Sequence, residues 1–143
     1  MALVSDKQMS ELHEQFMGIP GPTDVLTFPL DEDGRGRVTS GEVVVCVPEA
    51  RRRAKLEGTE PRQEALLYAL HGMLHLCGYD DQTPAAYKKM HQTEDRILTQ
   101  LGIGAVFARD RAKRPQAAGK RAPQKLANRD TKASNARGLR RKL

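Results

Sequence analysis

The 143-residue sequence contains no apolar run that approaches the roughly 18–20 residues a membrane-spanning helix requires. Residues 1–6 also lack the basic flank and apolar stretch that mark a secretion signal. Only two cysteines are present, Cys46 and Cys77, which favours reduced thiols over a disulfide framework. These absences argue against a membrane protein and a disulfide-rich secreted domain, and a cytosolic location is expected by default.

Charge is distributed unevenly along the chain. Residues 108–143 carry 13 Lys and Arg against 2 Asp, whereas residues 1–107 carry 11 basic residues against 16 acidic ones. The segment 108–143 has no aromatic residue, so it cannot bury enough surface to offset ordering its backbone, which costs about 1–2 kcal/mol per residue. The sequence predicts a mildly acidic folded domain at 1–107 and a disordered basic tail at 108–143, an asymmetry typical of proteins with a polyanion partner.

Short strand patterns and longer helix patterns follow one another within residues 1–107. The valine-rich run at 42–47 is the clearest strand, and its near-continuous apolar character predicts burial on both faces. A second strand is predicted at 23–28, ended by Pro29, and Leu3 and Val4 resemble the end of another. Capping residues, prolines at first turns and glycine stops predict helices at 7–16, 48–56, 61–76 and 84–101.

Two histidines in the third predicted helix form the strongest chemical pattern. His71 and His75 are four residues apart and lie on one helix face, so both imidazoles can reach one metal ion at about 2.0–2.1 Å. Gly78 allows a sharp turn that brings Asp80 and Asp81 back toward that face. Two nitrogens, one carboxylate oxygen and an open fourth position are typical of catalytic zinc, which lowers the pKa of bound water toward about 7.

Plainer interpretations of the same residues stay open. A histidine pair at this spacing is more often part of a core or surface than a metal site, and Asp80 could cap a turn or form a salt bridge. Cys77 is predicted to be a small buried residue that points away from the pair, and His13 and His91 to be surface histidines. The arginine triplet at 51–53 is predicted to be a solvated helix face.

The residue after the first histidine departs from the metallopeptidase pattern. In the His-Glu-x-x-His run of those enzymes the glutamate is the general base, whereas this chain has Gly72. Without that carboxylate, peptide hydrolysis lacks its proton acceptor. A metallopeptidase is therefore a weaker interpretation, and another reaction or a base from elsewhere is favoured.

Three blocks of sequence resemble one known family. Residues 71–81, His-Gly-Met-Leu-His-Leu-Cys-Gly-Tyr-Asp-Asp, resemble the YbeY signature His-Gly-x-Leu-His-Leu-x-Gly-Tyr-Asp-His. Residues 21–29 resemble the family's Pro-Thr-Asp-Val-Leu-Ser-Phe-Pro block, and residues 41–45 resemble its Gly-Asp-Ile-Val-Ile strand. Met90 and Glu94 also fit, so that the resemblance covers roughly residues 3–102.

The resemblance implies an α/β (α+β) fold, with a small mixed β-sheet packed with helices and a zinc-bearing central helix. It implies one Zn²⁺ per chain, held by His71, His75 and Asp81. The implied activity is single-strand-specific endoribonuclease action in the cytoplasm, in 3′-end maturation of 16S ribosomal RNA and in ribosome quality control. The implied partners are ribosomal RNA and the small ribosomal subunit.

Further roles are assigned to individual residues as expectations. Within the metal site His71 is expected to take part in catalysis, with Asp80 orienting a zinc-bound histidine. The resemblance implies an RNA path across the strand at 25–28 beside the metal helix, and Thr23 and Asp24 are expected to bind RNA. In the basic tail, phosphate contacts that do not depend on sequence are expected from Arg111, Lys113 and Arg114.

The chain also departs from the family pattern in three ways. Asp81 replaces the usual third histidine, and a negative ligand is expected to leave the metal less electrophilic. Met17 stands where the family's Arg-Gly-Lys-Asp loop has its arginine, and a methionine cannot hold a phosphate. The family's opening helix and most of its first strand are absent. A catalytically weakened ribosome-assembly or RNA-binding factor is therefore the alternative function.

Overall fold

A three-stranded mixed sheet lies at the centre of the part of the chain that the computed structural model describes, residues 1–106. Its strands are β1 (Ala2–Val4), β2 (Val25–Glu32) and β3 (Val38–Cys46). Strand β3 is in the middle, parallel to β1 and antiparallel to β2. The predicted class, a small mixed sheet packed with helices, is confirmed. The predicted basic tail lies outside the described residues.

All four predicted helices are present, and each begins and ends within one residue of its predicted position. The first is capped by Ser5, which forms a reciprocal capping box with Gln8, and the last is capped by the Thr83 hydroxyl. No helix within residues 1–106 has both the length and the apolar character needed to cross a membrane. The helices are α1 (Asp6–Met17), α2 (Val47–Glu57), α3 (Pro61–Leu76) and α4 (Pro84–Gln100).

The second strand continues past the proline that was expected to end it. Pro29 is paired with Gly41, and β2 runs on to Glu32 with an irregular register after Pro29. This is possible because β2 is an edge strand, with a neighbouring strand on one side only. A proline, which has no N–H to donate, is tolerated in such a strand. The strand pair closes at Asp33, whose carboxylate accepts hydrogen bonds from the backbone N–H groups of Arg35 and Arg37.

The central strand is buried on both faces, as its valines predict. Val44 and Cys46 pack with Met9 of α1 on one face of the sheet. Val43 and Val45 pack on the other face, against α2 and α3. Each fully buried valine contributes about 1.5–3 kcal/mol relative to an exposed one, so β3 anchors the helices on both sides of the sheet.

Helix α3 is enclosed between the sheet and α4. Tyr68 and Ala69 pack toward the sheet, whereas Leu67, Leu70 and Leu74 pack against α4. A helix that is apolar on most of its circumference is a core helix. Any polar side chain on its inner faces therefore needs a hydrogen-bond partner or a bound ion.

Candidate metal centre

Helix α3 places two histidine side chains in the interior, one helical turn apart. His71 and His75 are 3% and 8% exposed, and their Nε2 atoms lie 3.1 Å apart. The Nε2 atom of His71 lies 3.8 Å from Oδ2 of Asp81, and the ligand atoms of the three residues all lie within 4.8 Å of one another. Ligands held at about 2.0–2.1 Å in a tetrahedron are about 3.4 Å apart, so the spacing suits one metal ion.

A tight turn after α3 brings Asp81 to the histidines. Gly78 has a φ of 87°, in the left-handed region that favours glycine, and its N–H donates to the carbonyl of His75. Oδ1 of Asp80 then accepts the backbone N–H groups of Asp81 and Gln82, at 2.8 and 3.2 Å. The hydrogen bonds of Asp80 thus stabilise the turn, and the predicted role of orienting a histidine falls to other groups.

Those other groups are Glu94 and the backbone carbonyl of Tyr79. Nδ1 of His71 lies 2.7 Å from Oε1 of Glu94, and Nδ1 of His75 lies 3.1 Å from the Tyr79 oxygen. A carboxylate and a carbonyl only accept hydrogen bonds, so each histidine donates through Nδ1–H. Both Nε2 lone pairs are then free to face the site, which is the form that binds a metal.

A second histidine contacts the same carboxylate. His91 is 3% exposed, its Nδ1 contacts Oε2 of Glu94, and its ring meets the edge of Tyr87 at a centroid distance of 4.2 Å. The prediction of a surface position for His91 is therefore wrong. Two signals were available, since Glu94 is four residues from both Met90 and Leu98, which line the buried face of α4, and His91 precedes Glu94 by three.

Cys77 and His13, two other residues with a predicted position, lie in different environments. Cys77 is exposed, so the prediction of a buried position is wrong: α3 ends at Leu76, and the turn carries Cys77 outward. His13 is half-buried, and its Nδ1 lies 2.9 Å from the Gly21 carbonyl oxygen. Cys46 and Cys77 are free thiols, as expected.

The electrostatic environment shifts the pKa values of Glu94 and His75. Burial raises the pKa of Glu94, but hydrogen bonds from His71 and His91 outweigh it and bring that pKa to about 2. Burial and the neighbouring His71 lower the pKa of His75. Glu94 is therefore a carboxylate at neutral pH, and the neutral imidazole of His75 is favoured.

The donor set fits a divalent cation. Asp81 is nearly enclosed, and its Oδ1 atom is buried with no hydrogen-bond partner in the described part of the chain. A buried carboxylate oxygen without a partner costs free energy unless a positive charge lies beside it. Two imidazole nitrogens and a carboxylate suit zinc and several other first-row metals.

The position of the metallopeptidase base faces the sheet. A Cβ atom on Gly72 would lie 2.8 Å from Cγ2 of Thr27 and 2.9 Å from Cγ1 of Val43. A glutamate at this position would need α3 to move away from the sheet. Gly72 is therefore required by packing, and this fold leaves no room for a general base there.

The predicted RNA-binding residues divide into two groups. Thr23 and Asp24 lie just before β2, where the Asp24 carboxylate accepts the Thr23 hydroxyl and the Val25 N–H at 3.2 and 2.9 Å. They shape the start of the strand, and their contact with RNA stays a prediction. The remaining three lie outside the described residues: Arg111, Lys113 and Arg114.

The arginine triplet is an ion-paired helix surface. Arg52 is 47% exposed on its side chain and joins α2 to α1 through both carboxylate oxygens of Asp6, at 2.7 and 2.8 Å. It also contacts Glu49 of its own helix, and Arg53 lies 3.1 Å from Glu57. Arg52 thus has a structural role, and Arg51 is exposed to solvent as predicted.

The central helix of this α+β domain and the turn after it bring two histidines and an aspartate together. This arrangement defines a class of small proteins with a candidate three-ligand metal site on a helix. The family model described as Endoribonuclease YbeY matches residues 1–102. With that match over most of its length, the chain belongs to the YbeY family.

Two curated relatives agree with this assignment, and one solved structure is also similar to the chain. The chain is similar to the Endoribonuclease YbeY of Thermobifida fusca, at 39% identity over 103 residues, covering 67% of this chain and 66% of the relative. It is also similar to that of Saccharopolyspora erythraea, at 36% identity over 124 residues, covering 80% and 68%. The solution structure of TM1509 from Thermotoga maritima matches at 28% identity with a TM-score of 0.49, covering 82% of this chain and 75% of that one. The chain thus spans about two thirds of the length of the curated relatives it matches.

Proposed function

We propose that this chain is a zinc-dependent endoribonuclease that hydrolyses single-stranded RNA, with one zinc ion held by His71, His75 and Asp81. The observation that supports this most strongly is the convergence of these three side chains, with both Nε2 atoms facing the site. The chain's membership of the YbeY family, whose relatives are named endoribonucleases, directs the proposal toward RNA.

The residues of the chain supply position and charge. Bound zinc supplies Lewis-acid activation of a phosphoryl oxygen or of water. Glu94 and the Tyr79 carbonyl hold the two imidazole rings, and burial keeps most bulk water from the ligands. Asp81 brings a negative charge where the signature usually has a histidine, so we expect a weaker Lewis acid than three imidazoles would give.

The RNA path that we propose follows the outer edge of β2. The side chains of residues 25–28 are buried, so an RNA strand would meet the backbone edge of β2, with Thr23 and Asp24 at its start. Segment 108–143, which includes Arg111, Lys113 and Arg114, would neutralise phosphates. Such binding falls steeply with salt, because each phosphate contact releases counterions.

The biological role that we propose is maturation of the 3′ end of 16S ribosomal RNA, together with ribosome quality control. The proposed partners are ribosomal RNA and the small ribosomal subunit, which would place the protein in the cytoplasm. These assignments rest on family membership. The division into a metallohydrolase domain at 1–107 and a basic tail at 108–143 is part of the same proposal.

The experiment that tests the activity compares three full-length proteins: the wild type, Asp81→Ala, and Glu11→Ala as a control that removes an exposed carboxylate from α1. Bound metal is measured by elemental analysis, and cleavage is measured on a single-stranded RNA. We expect about one zinc per chain and cutting in the wild type and the control, and neither in Asp81→Ala. A wild type without metal would contradict the proposal.

A second candidate function, an RNA-binding assembly factor that does not cut, is favoured by one observation. Met17, at the position of the family's loop arginine, packs against the apolar cluster that includes Val4, Met9 and Leu26. The Met17 side chain carries no charge and is held among apolar residues, so it cannot pair with a phosphate. This candidate predicts zinc and RNA binding without cleavage in the wild type, an outcome that the same experiment detects.

A further inference from the structure

The carboxylate of Glu94 lies at the centre of a buried polar chain. Glu94 is 0% exposed, and each of its oxygens contacts a different histidine. Oε1 contacts His71, a candidate metal ligand on α3, and Oε2 contacts His91, one turn earlier on α4. The chain of contacts therefore runs from the candidate metal site through Glu94 to His91.

Such an arrangement fixes the orientation of the carboxylate. A buried carboxylate is costly unless its oxygens accept hydrogen bonds, and Glu94 satisfies one oxygen with each histidine. If one donor is lost, the Glu94 carboxylate lowers its free energy by rotating toward another hydrogen-bond donor. The bond to His71 then loses its geometry, because both oxygens belong to one rigid planar group.

His91 is itself held in place. It lies three residues before Glu94 on the same helix, so their side chains are neighbours on one face. Its ring packs on the edge of Tyr87 and lies 6.1 Å from the His71 ring, with an interplanar angle of 21°. The Nδ1 atom of His91 is therefore presented to Glu94 by the helix and by ring packing.

We propose that His91 is a positioning residue for the metal site, acting through Glu94 to hold the His71 ring with Nε2 toward the metal. This inference rests on the metal site of the proposed function and adds a residue on α4 that acts through Glu94. Partners one step beyond the ligands typically change metal affinity by 10–100-fold. His91 is one hydrogen bond further from the metal than Glu94. We therefore expect its loss to weaken metal affinity by an amount at the lower end of that range.

Two substitutions of similar size separate the hydrogen bond from packing. In His91→Asn the amide nitrogen occupies about the place of Nδ1 and can still donate to Glu94. In His91→Gln the amide nitrogen reaches about the place of Nε2, and the bond to Glu94 is lost. Gln92→Ala, at an exposed neighbouring position on α4, is the control.

The measurement is zinc affinity of the full-length chain, by competition with a chromophoric chelator. Thermal unfolding of the metal-free proteins shows whether each variant is folded. We expect wild-type affinity in Gln92→Ala, near wild-type affinity in His91→Asn, and about 10-fold weaker binding in His91→Gln. The visible spectrum of the Co²⁺-substituted proteins should change in His91→Gln and be retained in His91→Asn.

Equal zinc affinities in His91→Asn and His91→Gln would overturn the role of His91 while leaving the metal site intact. A wild type that binds no zinc would overturn the metal site and this inference with it. If both variants weaken zinc binding equally and unfold at equally lowered temperatures, His91 acts through packing, and the inference is again wrong.

Discussion

Helix α3 has two buried faces, and they are built in opposite ways. Toward the sheet it presents Ala69 and Gly72, and the helix lies so close that Thr27 and Val43 leave no space for a Cβ at position 72. Toward α4 it presents His71 within an otherwise apolar cluster, paired with Glu94. The first face is shaped by close packing, whereas on the second face the cost of burying His71 is offset by its hydrogen bond to Glu94 at a candidate cation site.

The largest effect should come from removing a ligand on the polar face. We expect His71→Ala to lose stoichiometric zinc, with at least about 100-fold weaker affinity, because only one histidine and Asp81 remain. Elemental analysis and chelator competition measure this. His13→Ala serves as the matched histidine control, since His13 contacts the Gly21 carbonyl and not the site. Retention of a full equivalent of tightly bound zinc in His71→Ala would contradict the assignment.

The next effect should come from the residue that orients His71. Glu94→Gln keeps the size of the side chain, but its amide can accept a hydrogen bond only through oxygen, so one of the two histidines loses its acceptor. We expect zinc affinity to fall about 10–100-fold. Chelator competition checks this, and unchanged affinity would show that the hydrogen bond to His71 does not matter for the metal.

The packing face should show the reverse pattern. Gly72→Ala places a methyl group 2.8–3.1 Å from side-chain atoms of Thr27, Val43 and Val25, and such overpacking costs about 1–3 kcal/mol of unfolding free energy. Urea denaturation of the metal-free protein measures the loss. Zinc affinity of the folded protein should fall far less than in His71→Ala, since position 72 supplies no ligand atom. A large loss of zinc affinity without a loss of stability would break the comparison between the faces.

The smallest effect is expected on the exposed side of the same helix. Met73 is 46% exposed and lies two residues from His71 and from His75. Met73→Ala should change the free energy of unfolding by less than about 0.5 kcal/mol and leave zinc affinity unchanged. The same two assays measure both quantities, and a change as large as that of Gly72→Ala would show that α3 is covered on this side too.

The sequence was sufficient for the elements and for the candidate ligands because both follow local rules. Capping residues and prolines located the four helices within one residue. The four-residue spacing of His71 and His75, followed by the Gly78 turn, predicted a cluster with Asp80 or Asp81, and the family resemblance selected Asp81. Each helix was predicted from signals within and beside its own residues, and the pattern from His71 to Asp81 spans eleven residues, so no knowledge of the packing was needed.

Apart from Cys77, which the local turn after α3 carries outward, the errors depend on contacts between distant segments. Glu94 was named only through the family resemblance, and its bond to His71, 23 residues away, depends on how α4 packs. His91 was placed at the surface for the same reason. Pro29 was expected to end β2, and it does not because β2 is at the sheet edge. Gly72 was interpreted as a missing base, whereas its contacts show a packing requirement.

The central claim is that RNA cleavage depends on one metal ion held by His71, His75 and Asp81. The most direct measurement is to strip the full-length chain of metal and titrate zinc back while following cleavage of a single-stranded RNA. The account predicts no cleavage in the stripped protein, and activity that rises with added zinc and levels off near one equivalent per chain. Undiminished cleavage by the metal-free protein, or none after one equivalent is bound, would contradict it.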